Sequence, residues 1–361
     1  MNYAARMARA RERMAELGVD ALVLSVGPDL PYLTGYEAMP LERLTMLVVR
    51  LAAEPILVIP RLEAPRVVER PDAFTVEPWD ETQNPVARVS ELVRGDRTVA
   101  IGDHTWSRFL LALQAELPDT RFRPASAVTG PLRARKDDSE IAALRAAARA
   151  VDDIARGLRE ARFGGTTERA LQREVIDRMF DAGHERPNFA IIATGPNAAS
   201  PHHDATDRRV ADGDVVLCDF GGVLGGYCSD ITRMYVVGEP TAEVRDAYAA
   251  LTVAQEAAVA AARVGTTCSD VDGAARRALA DAALDEFFLH RTGHGIGVEA
   301  HEDPYLVAGN TERLAAGHCF SVEPGVYLPR RFGLRLEDIV VATDDGPRRL
   351  NEAPRDLASV E

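Results

Sequence analysis

Two acidic residues at the ends of neighbouring apolar segments are the first candidates for chemistry in this sequence. The apolar run 215–218 ends at Asp219, a glycine-rich turn follows, and Asp230 precedes a second apolar run that starts at Ile231. Acidic side chains are seldom buried unless they are paired or bind a metal. Two carboxylates on adjacent strands of one hairpin would repel each other unless a cation lay between them. The pattern therefore predicts half of a metal site.

A similar pattern recurs about a hundred residues later and predicts the other half. Gly213 lies six residues before Asp219, and Gly317 lies six residues before Glu323 at the end of another apolar run. Glu337 then opens the return strand of this second segment, and a pair of predicted helices precedes each segment. The repeat predicts a pseudo-twofold domain in which four carboxylates meet at the axis.

His294 is the candidate for a fifth ligand. It lies between Gly293 and Gly295 in the segment HRTGHGIGVEAHE, residues 290–302, where glycines let the backbone approach a neighbour closely. One imidazole and four carboxylates suit Mn(II), Co(II) or Zn(II) better than a thiolate site does. Two such metals about 3.5–4 Å apart can hold a bridging hydroxide and clamp a tetrahedral intermediate. The predicted chemistry is hydrolysis.

The elements that must position these residues form two parts, which we expect to be domains of residues 1–132 and 133–361. The first part predicts an α/β domain with helices at 2–17, 61–69, 85–94 and 105–117 and strands at 21–25, 44–51, 56–59, 74–76 and 99–101. The second part begins with a helix at 138–161, for which Asp138 or Ser139 is the expected N-cap. Its repeated helix pairs are expected at 138–161 with 167–181, and at 243–262 with 269–284.

Composition excludes several classes of function. The net charge of −14 argues against a nucleic-acid surface, and no segment approaches the ~20 apolar residues of a membrane span. No secretory signal is visible at the N-terminus. None of the four cysteines forms a CxxC pair, so we expect buried, reduced thiols in a cytoplasmic protein.

The five candidate ligands and their contexts resemble the pita-bread metallopeptidases. The motifs Asp-Phe-Gly-Gly, Ser-Asp-Ile-Thr-Arg, Gly-His-Gly-Ile-Gly, Glu-Pro-Gly and Arg-Leu-Glu-Asp occur here in the order found in Xaa-Pro aminopeptidase, Xaa-Pro dipeptidase (prolidase) and methionine aminopeptidase. Residues 31–35 and the connector 135–140 resemble the creatinase/prolidase N-terminal domain and its junction. The resemblance implies an α/β creatinase/prolidase-like N-terminal domain followed by an α+β pita-bread catalytic domain.

The resemblance also implies a role for each candidate ligand. Asp219 would chelate one metal, and Asp230 and Glu337 would bridge both. His294 and Glu323 would bind the other metal, and Glu323 would also move a proton to or from the attacking water. The implied cofactor is a pair of divalent ions, with Mn as the first choice and Co or Zn as alternatives.

Five further residues match positions around the family's substrate. His202 would donate a proton or hydrogen bond near the scissile nitrogen, and His301 would bind the substrate carbonyl or the proline end. His290 and Arg335 would line the pocket, and Tyr227 would stand just behind the metal ligands or touch substrate.

Other interpretations of several of these residues stay open in the sequence. His203 could take the place of His202, and Arg335 could pair with Glu337 or Asp338 rather than touch substrate. His184 and His318 are expected in surface loops.

Within the family, the sequence favours the Xaa-Pro branch. Methionine aminopeptidases usually lack an N-terminal domain of this size, and creatinases lack the metal ligands. Archaeal-type prolidases place an arginine soon after the His-Glu-x-Pro segment to hold the free proline carboxylate; here no basic residue occurs between Pro304 and Arg313. We therefore expect an aminopeptidase P-like enzyme that acts as a homodimer on peptides with proline in the second position. The alternatives are a strict Xaa-Pro dipeptidase, a dimetal hydrolase of another amide, and a binding module that has lost catalysis.

Overall fold

The computed structural model describes residues 1–361 and divides into two compact units, residues 1–133 and 134–361. No helix in it combines the length and the apolar character needed to cross a lipid bilayer. All four cysteines are buried, as expected, and none is paired with another.

The first unit is the expected α/β domain, built on one six-stranded mixed sheet. Its helices are α1 (Tyr3–Leu17), α2 (Asp29–Thr34), α3 (Pro85–Leu92), α4 (Ser107–Glu116) and α5 (Ser126–Ala134). Its strands are β1 (Ala21–Leu24), β2 (Met46–Arg50), β3 (Ile56–Pro60), β4 (Thr75–Trp79), β5 (Thr98–Ile101) and β6 (Arg121–Pro124). They lie in the order β4-β3-β2-β1-β5-β6. Strands β2 and β3 are antiparallel neighbours.

One predicted element of this unit is wrong. The helix expected at 61–69 is only a short 3-10 helix, Ala64–Arg66. Pro65 lies inside this stretch, and Pro60 and Pro71 flank it. Proline lacks the backbone N–H that a helix interior needs and disfavours helical backbone in the residue before it.

The second unit carries the repeated helix pairs and two five-stranded sheets. Its helices are α6 (Asp138–Leu158), α7 (Glu168–Asp181), α8 (Ala242–Ala261) and α9 (Cys268–Asp281), with 3-10 helices at Gly195–Ala199 and Asp285–Phe287. Its first strands are β7 (Arg186–Thr194), β8 (Val215–Leu224), β9 (Tyr227–Cys228), β10 (Ile231–Val237), β11 (Gly293–Gly295) and β12 (Glu302–Leu306). The others are β13 (Cys319–Val322), β14 (Gly325–Leu328), β15 (Phe332–Arg335), β16 (Asp338–Thr343), β17 (Gly346–Arg349) and β18 (Ala358–Val360).

The sheets place the two predicted hairpins at corresponding positions. One sheet has the order β18-β10-β8-β7, with β9 paired to β8, and the other has the order β12-β11-β13-β16-β17; β14 and β15 form a separate ribbon. Strands β8 and β10 pair antiparallel in the first sheet, and β13 and β16 do so in the second. Each antiparallel pair carries one acidic residue of the candidate site on or beside each of its strands.

Backbone contacts confirm the internal repeat. The residue that caps α7, Thr167, forms an isolated antiparallel bridge with Arg209, and the residue that caps α9, Thr267, forms the same bridge with Arg313. In each half the arginine then donates to the carbonyl of the glycine two residues before the capping threonine, at 2.7 and 2.6 Å. The two halves therefore share local backbone geometry as well as element order.

The start of α6 differs slightly from the prediction. Its N-cap is Asp137, whose Oδ1 accepts hydrogen bonds from the N–H groups of Ser139 and Glu140 at 2.9 and 3.0 Å. The Glu140 side chain in turn accepts from the Asp137 N–H at 3.0 Å, which completes a capping box. Three neighbouring residues here could each cap a helix, so sequence alone placed the boundary one or two residues late.

Two histidines expected in surface loops are buried. His184 is 3% exposed and His318 is 6% exposed. The ring of His184 lies 3.0 Å from both the Met179 carbonyl and the Ser229 hydroxyl. These hydrogen bonds satisfy both ring nitrogens, which makes burial of a neutral imidazole tolerable.

We expect His318 to make the protein lose stability in mild acid. Burial, followed by the charges of Lys136 and Arg135, lowers the pKa of His318 to about 4. In the unfolded chain, His318 takes up a proton near the usual histidine pKa of about 6.5. The contribution of neutral His318 to the free energy of unfolding is therefore present above that pH and is lost as the pH falls towards 4. Each unit of difference in pKa corresponds to about 1.4 kcal/mol. Urea unfolding at pH 7 and pH 5 should show a smaller loss for His318→Gln than for the wild type; equal losses would contradict this.

Candidate metal centre

All five candidate ligands line one cavity of about 490 Å³ in the second unit. Its other walls come from the loop after β7, from β7 itself and from the segment around His294. The residues that line it are Phe189, Ile191, Pro201, His202, Asp219, Asp230, His290, Arg291, His294, His301, Glu323, Arg335 and Glu337.

The two hairpins bring the four carboxylates together. Asp219 lies within β8, opposite Thr232 of β10, and Asp230 immediately precedes β10. Glu323 immediately follows β13, and Glu337 immediately precedes β16. Because each hairpin supplies one acid from each of its strands, the four acids meet where the two halves face each other.

The imidazole of His294 completes this cluster. Its Nε2 lies 3.1 Å from Glu323 Oε1 and 3.8 Å from Asp230 Oδ2. Ligand atoms of Asp230, His294 and Glu337 lie within 4.8 Å of one another. His294 Nδ1 faces the Gly295 carbonyl at 3.1 Å. Since a carbonyl only accepts, Nδ1 carries the proton and leaves Nε2 free to bind a cation, the arrangement usual for metal-binding histidines.

Unsatisfied carboxylate oxygens show that these residues fit a cation. Asp219 Oδ1, Asp230 Oδ1 and Glu337 Oε1 are buried and accept no hydrogen bond. Burial, together with neighbouring carboxylates, raises the pKa values of Asp230 and Glu337 well above their usual range. Positive charge among these oxygens would relieve both the desolvation and the mutual repulsion. The donor set of carboxylates and one imidazole suits a divalent ion.

Glycines on both sides of His294 allow the close approach that the sequence predicted. A Cβ atom at Gly293 would collide with the Ser321 carbonyl oxygen of β13, and one at Gly295 would collide with the Asp303 carbonyl oxygen of β12. Strand β11 therefore fits between its two neighbours only with glycine at both positions, which fixes the backbone that presents His294.

Arg335 lies in the cavity wall, but its donors are bound to protein groups. Its guanidinium pairs with Asp219 and donates from Nη1 to the Tyr327 hydroxyl at 2.8 Å. The alternative partners Glu337 and Asp338 are wrong: Arg233, not Arg335, pairs with Asp338 at 2.6 Å. Arg335 thus supports the ligand Asp219 from behind.

His290 continues the same chain of hydrogen bonds. Its Nδ1 lies 2.7 Å from the Arg291 carbonyl, so Nδ1 carries the proton, and its Nε2 accepts from the Tyr327 hydroxyl at 2.8 Å. Burial lowers the pKa of His290. Both ring nitrogens are therefore occupied, and the ring presents an uncharged face to the cavity.

The structure separates the two adjacent histidines of the Ser-Pro-His-His segment. His202 lines the cavity, whereas His203 Nε2 lies 2.9 Å from the buried carboxylate of Glu168. This placement favours His202 over His203 as the residue that faces a substrate. It also reveals Glu168, which the sequence did not single out.

His301 lies at the cavity beside His294, with 3.8 Å between the ring centroids. The next residue, Glu302, begins β12 and forms an ion pair with Lys136 at 2.6 Å, and both side chains are at most 6% exposed. The pKa of His301 is lowered to about 4, mainly by partial burial and then by the charges of His294 and Arg291. The buried pair anchors the chain next to His301.

Tyr227 is the one predicted site residue that does not line the cavity. Its hydroxyl donates to Glu140 Oε1 at 2.9 Å, and its ring packs in a cluster that includes Leu144 and Ala148 of α6. Tyr227 lies in β9, which pairs with β8 beyond the turn. This pairing directs the side chain towards α6, so direct contact with substrate is not supported.

Two family models match consecutive parts of the chain. The model described as metallopeptidase family M24 matches residues 141–344, and the creatinase/prolidase N-terminal domain matches residues 6–135. This chain belongs to metallopeptidase family M24. The matches confirm the predicted pita-bread family and the combination of its two domains, and they make the protein a hydrolase.

Individual relatives of this M24 peptidase cover almost its whole length. A protein named probable dipeptidase PepE from Mycobacterium tuberculosis is 41% identical over 99% of this chain and 96% of its own. An Xaa-Pro dipeptidase from Lactobacillus delbrueckii subsp. lactis is 34% identical over 95% of this chain and 96% of its own. The crystal structure of a prolidase from Thermococcus sibiricus superposes with a TM-score of 0.93 at 33% identity, covering 99% of both chains.

Proposed function

We propose that this peptidase hydrolyses the bond between an N-terminal residue and a following proline, using two divalent cations. The supporting observation is the cluster of five ligand side chains in one cavity, three of whose carboxylate oxygens are buried without a partner. The family match supports a metal-dependent hydrolase, and relatives named Xaa-Pro dipeptidase support the choice of bond.

Each ligand takes the role that the resemblance implies. Asp219 would hold one cation, Asp230 and Glu337 would be shared, and His294 and Glu323 would hold the other. Mn is the first choice of metal and Co or Zn are the alternatives. Bound there, divalent cations supply Lewis acidity, which activates water and polarises the scissile carbonyl.

The remaining cavity residues would orient the peptide and move protons. Glu323 would take a proton from the attacking water and pass it on, acting as a general base. His202 would donate to the scissile nitrogen. His301, neutral because of its lowered pKa, would donate a hydrogen bond to the substrate, while His290 and Arg335 would line the pocket and keep Asp219 in place.

Two observations point to different substrate lengths, one to longer peptides and one to dipeptides. The lack of a basic residue between Pro304 and Arg313 favours an aminopeptidase P-like enzyme that accepts longer peptides. Relatives named as dipeptidases favour the dipeptide. The basic residue Arg291 lies in the cavity wall and supports the dipeptide, because a guanidinium can hold a free carboxylate.

A panel of peptides tests the proposal. The Mn(II)-loaded protein should hydrolyse Ala-Pro and should leave Ala-Ala almost untouched, with Ala-Pro-Ala reporting on tolerance of length. Release of free alanine measures each rate. Cleavage of Ala-Ala as fast as Ala-Pro would overturn the proline requirement. Failure on every peptide, with turnover of an N-acetylated amino acid, would favour a dimetal hydrolase of another amide.

We also propose that the enzyme works in the cytoplasm as a homodimer. Four buried, unpaired cysteines suit a reducing compartment, and the family resemblance supports the dimer. Light scattering after size-exclusion chromatography would report the assembly, and a monomer at working concentration would contradict it.

A further inference from the structure

Arg291 is a cation in the cavity wall that no acidic side chain neutralises. The cavity has two arginines, and the other, Arg335, is paired with Asp219. Arg291 forms no ion pair. Its guanidinium lies over the Tyr305 ring, 4.4 Å from the centroid, and its Nη2 lies 3.3 Å from His301 Nδ1. An arginine offers five N–H donors, so most of its donor capacity remains available to a ligand.

The contacts of Arg291 hold its guanidinium in a defined place. The cation–π contact of its Cζ with the Tyr305 ring restricts the position of the guanidinium. Because arginine cannot accept a hydrogen bond, its Nη2 must donate to His301 Nδ1. The proton of the neutral imidazole then lies on Nε2, available to a substrate oxygen. Arg291 and His301 thus form one donor surface for an anionic or carbonyl oxygen.

The position of this surface suits the end of a very short peptide. The ring of His301 lies 3.8 Å from the ring of the candidate ligand His294, so Arg291 is separated from the candidate metal centre by one imidazole. In a dipeptide the terminal carboxylate lies within one residue of the scissile bond, on the order of 4 Å away. A carboxylate and a guanidinium form strong, charge-assisted hydrogen bonds.

We propose that Arg291 binds the C-terminal carboxylate of the substrate and thereby selects dipeptides over longer peptides. This inference rests on the proposed hydrolysis of Xaa-Pro bonds and adds to it the substrate class. A longer peptide places an uncharged amide at the same point, which gains less from the guanidinium. Arg291 is in this view a residue that determines specificity, acting on the substrate directly.

The test compares a free and a blocked C-terminus. Values of kcat/KM are measured for Ala-Pro and Ala-Pro amide with the wild type, Arg291→Gln and Arg291→Lys. Arg291→Gln should lose about tenfold to a hundredfold on Ala-Pro, mainly through KM, and little on the amide. Arg291→Lys should keep part of the preference, because it retains charge but not the planar fork. Arg277→Gln, on the exposed face of α9, is the matched control for loss of one charge.

Two results would overturn the inference. A wild-type enzyme without preference for Ala-Pro over its amide would leave no carboxylate recognition to explain. Equal losses on both substrates in Arg291→Gln would show that Arg291 acts only through His301.

A binding measurement separates this inference from the proposed function. Calorimetric titration with L-proline and L-prolinamide tests carboxylate recognition without turnover. Tighter binding of proline that disappears in Arg291→Gln would support the inference even if no peptide is hydrolysed, in which case only the proposed reaction would fail. Equal affinity of the wild type for both compounds would overturn it.

Discussion

Replacing Glu337 with alanine is expected to abolish metal binding and peptide hydrolysis together. One oxygen of Glu337 accepts from the Thr232 hydroxyl at 2.7 Å, and the other is buried without a partner. Loss of residues that merely support a metal ligand costs about 10–100-fold, so loss of a shared ligand should cost more than about a hundredfold in kcat/KM. Mass spectrometry of bound metal and hydrolysis of Ala-Pro measure the two effects.

Relative to the wild type, a Glu337→Gln protein should be equally or more stable in chelator, and less stable when metal is bound. Glutamine keeps the size of the side chain but removes one of the clustered negative charges, so in chelator the variant should unfold at the wild-type temperature or above it. Added Mn(II) should then raise the wild-type free energy of unfolding, by about 2.7 kcal/mol at a hundred times Kd. The variant should gain little.

A surface substitution controls for loss of charge alone. Glu239 is exposed in the turn after β10, so Glu239→Ala should keep wild-type metal content and activity. A Glu337→Ala protein that retains both would remove Glu337 from the ligand set.

The fold and the candidate ligands could be predicted because they follow from local patterns. Asp219 and Glu323 each end an apolar strand, and Asp230 and Glu337 each open the return strand, so burial and repulsion pointed to a shared cation. The glycines beside His294 were informative because a Cβ there would collide with neighbouring strands. These features depend on spacing along the chain, which the sequence shows directly.

Side-chain directions were harder to predict because they depend on packing between distant segments. Arg291 was visible between His290 and Thr292, but only the fold brings it beside His301 and Tyr305. The spacing of Tyr227 from Asp230 predicts a position near the metal ligands, yet the pairing of β9 with β8 turns the Tyr227 side chain towards α6.

Glu168 was missed for a related reason. An acidic residue at the first turn of a helix is ordinary, and its partners follow it by 26 to 38 positions in the sequence. The only local signal was its place directly after the N-cap of α7.

Replacing Glu168 with glutamine is expected to lower turnover while leaving the metal in place. Glu168 is completely buried and contacts both ends of the loop that carries His202. Burial alone would raise the pKa of its carboxyl, but hydrogen bonds from Thr206, His203 and Asn197 lower that pKa to about 2. Its six hydrogen-bond contacts are with Thr194 N and Oγ1, Asn197 Nδ2, His203 Nε2, and Thr206 N and Oγ1, at 2.6–2.9 Å.

Glutamine cannot satisfy this set of partners. Each oxygen of Glu168 faces three protein groups, so the NH2 group of glutamine would meet donors wherever it pointed. An unsatisfied buried donor costs about 1–3 kcal/mol, and the loop should loosen. A displacement of His202 by about 1 Å can cost on the order of a hundredfold in rate. Kinetics on Ala-Pro, urea unfolding and hydrogen exchange of residues 195–206 measure these effects.

The pattern of losses distinguishes positioning of His202 from metal binding. Glu168 contacts none of the five candidate ligands in these hydrogen bonds, so Glu168→Gln should keep wild-type metal content, in contrast to Glu337→Ala. Glu174→Gln is the matched control, because Glu174 lies on the same helix in a half-exposed pair with Arg178. A Glu168→Gln enzyme with wild-type kcat would show that the loop is held by its other contacts. Loss of metal would place Glu168 in support of the ligands instead.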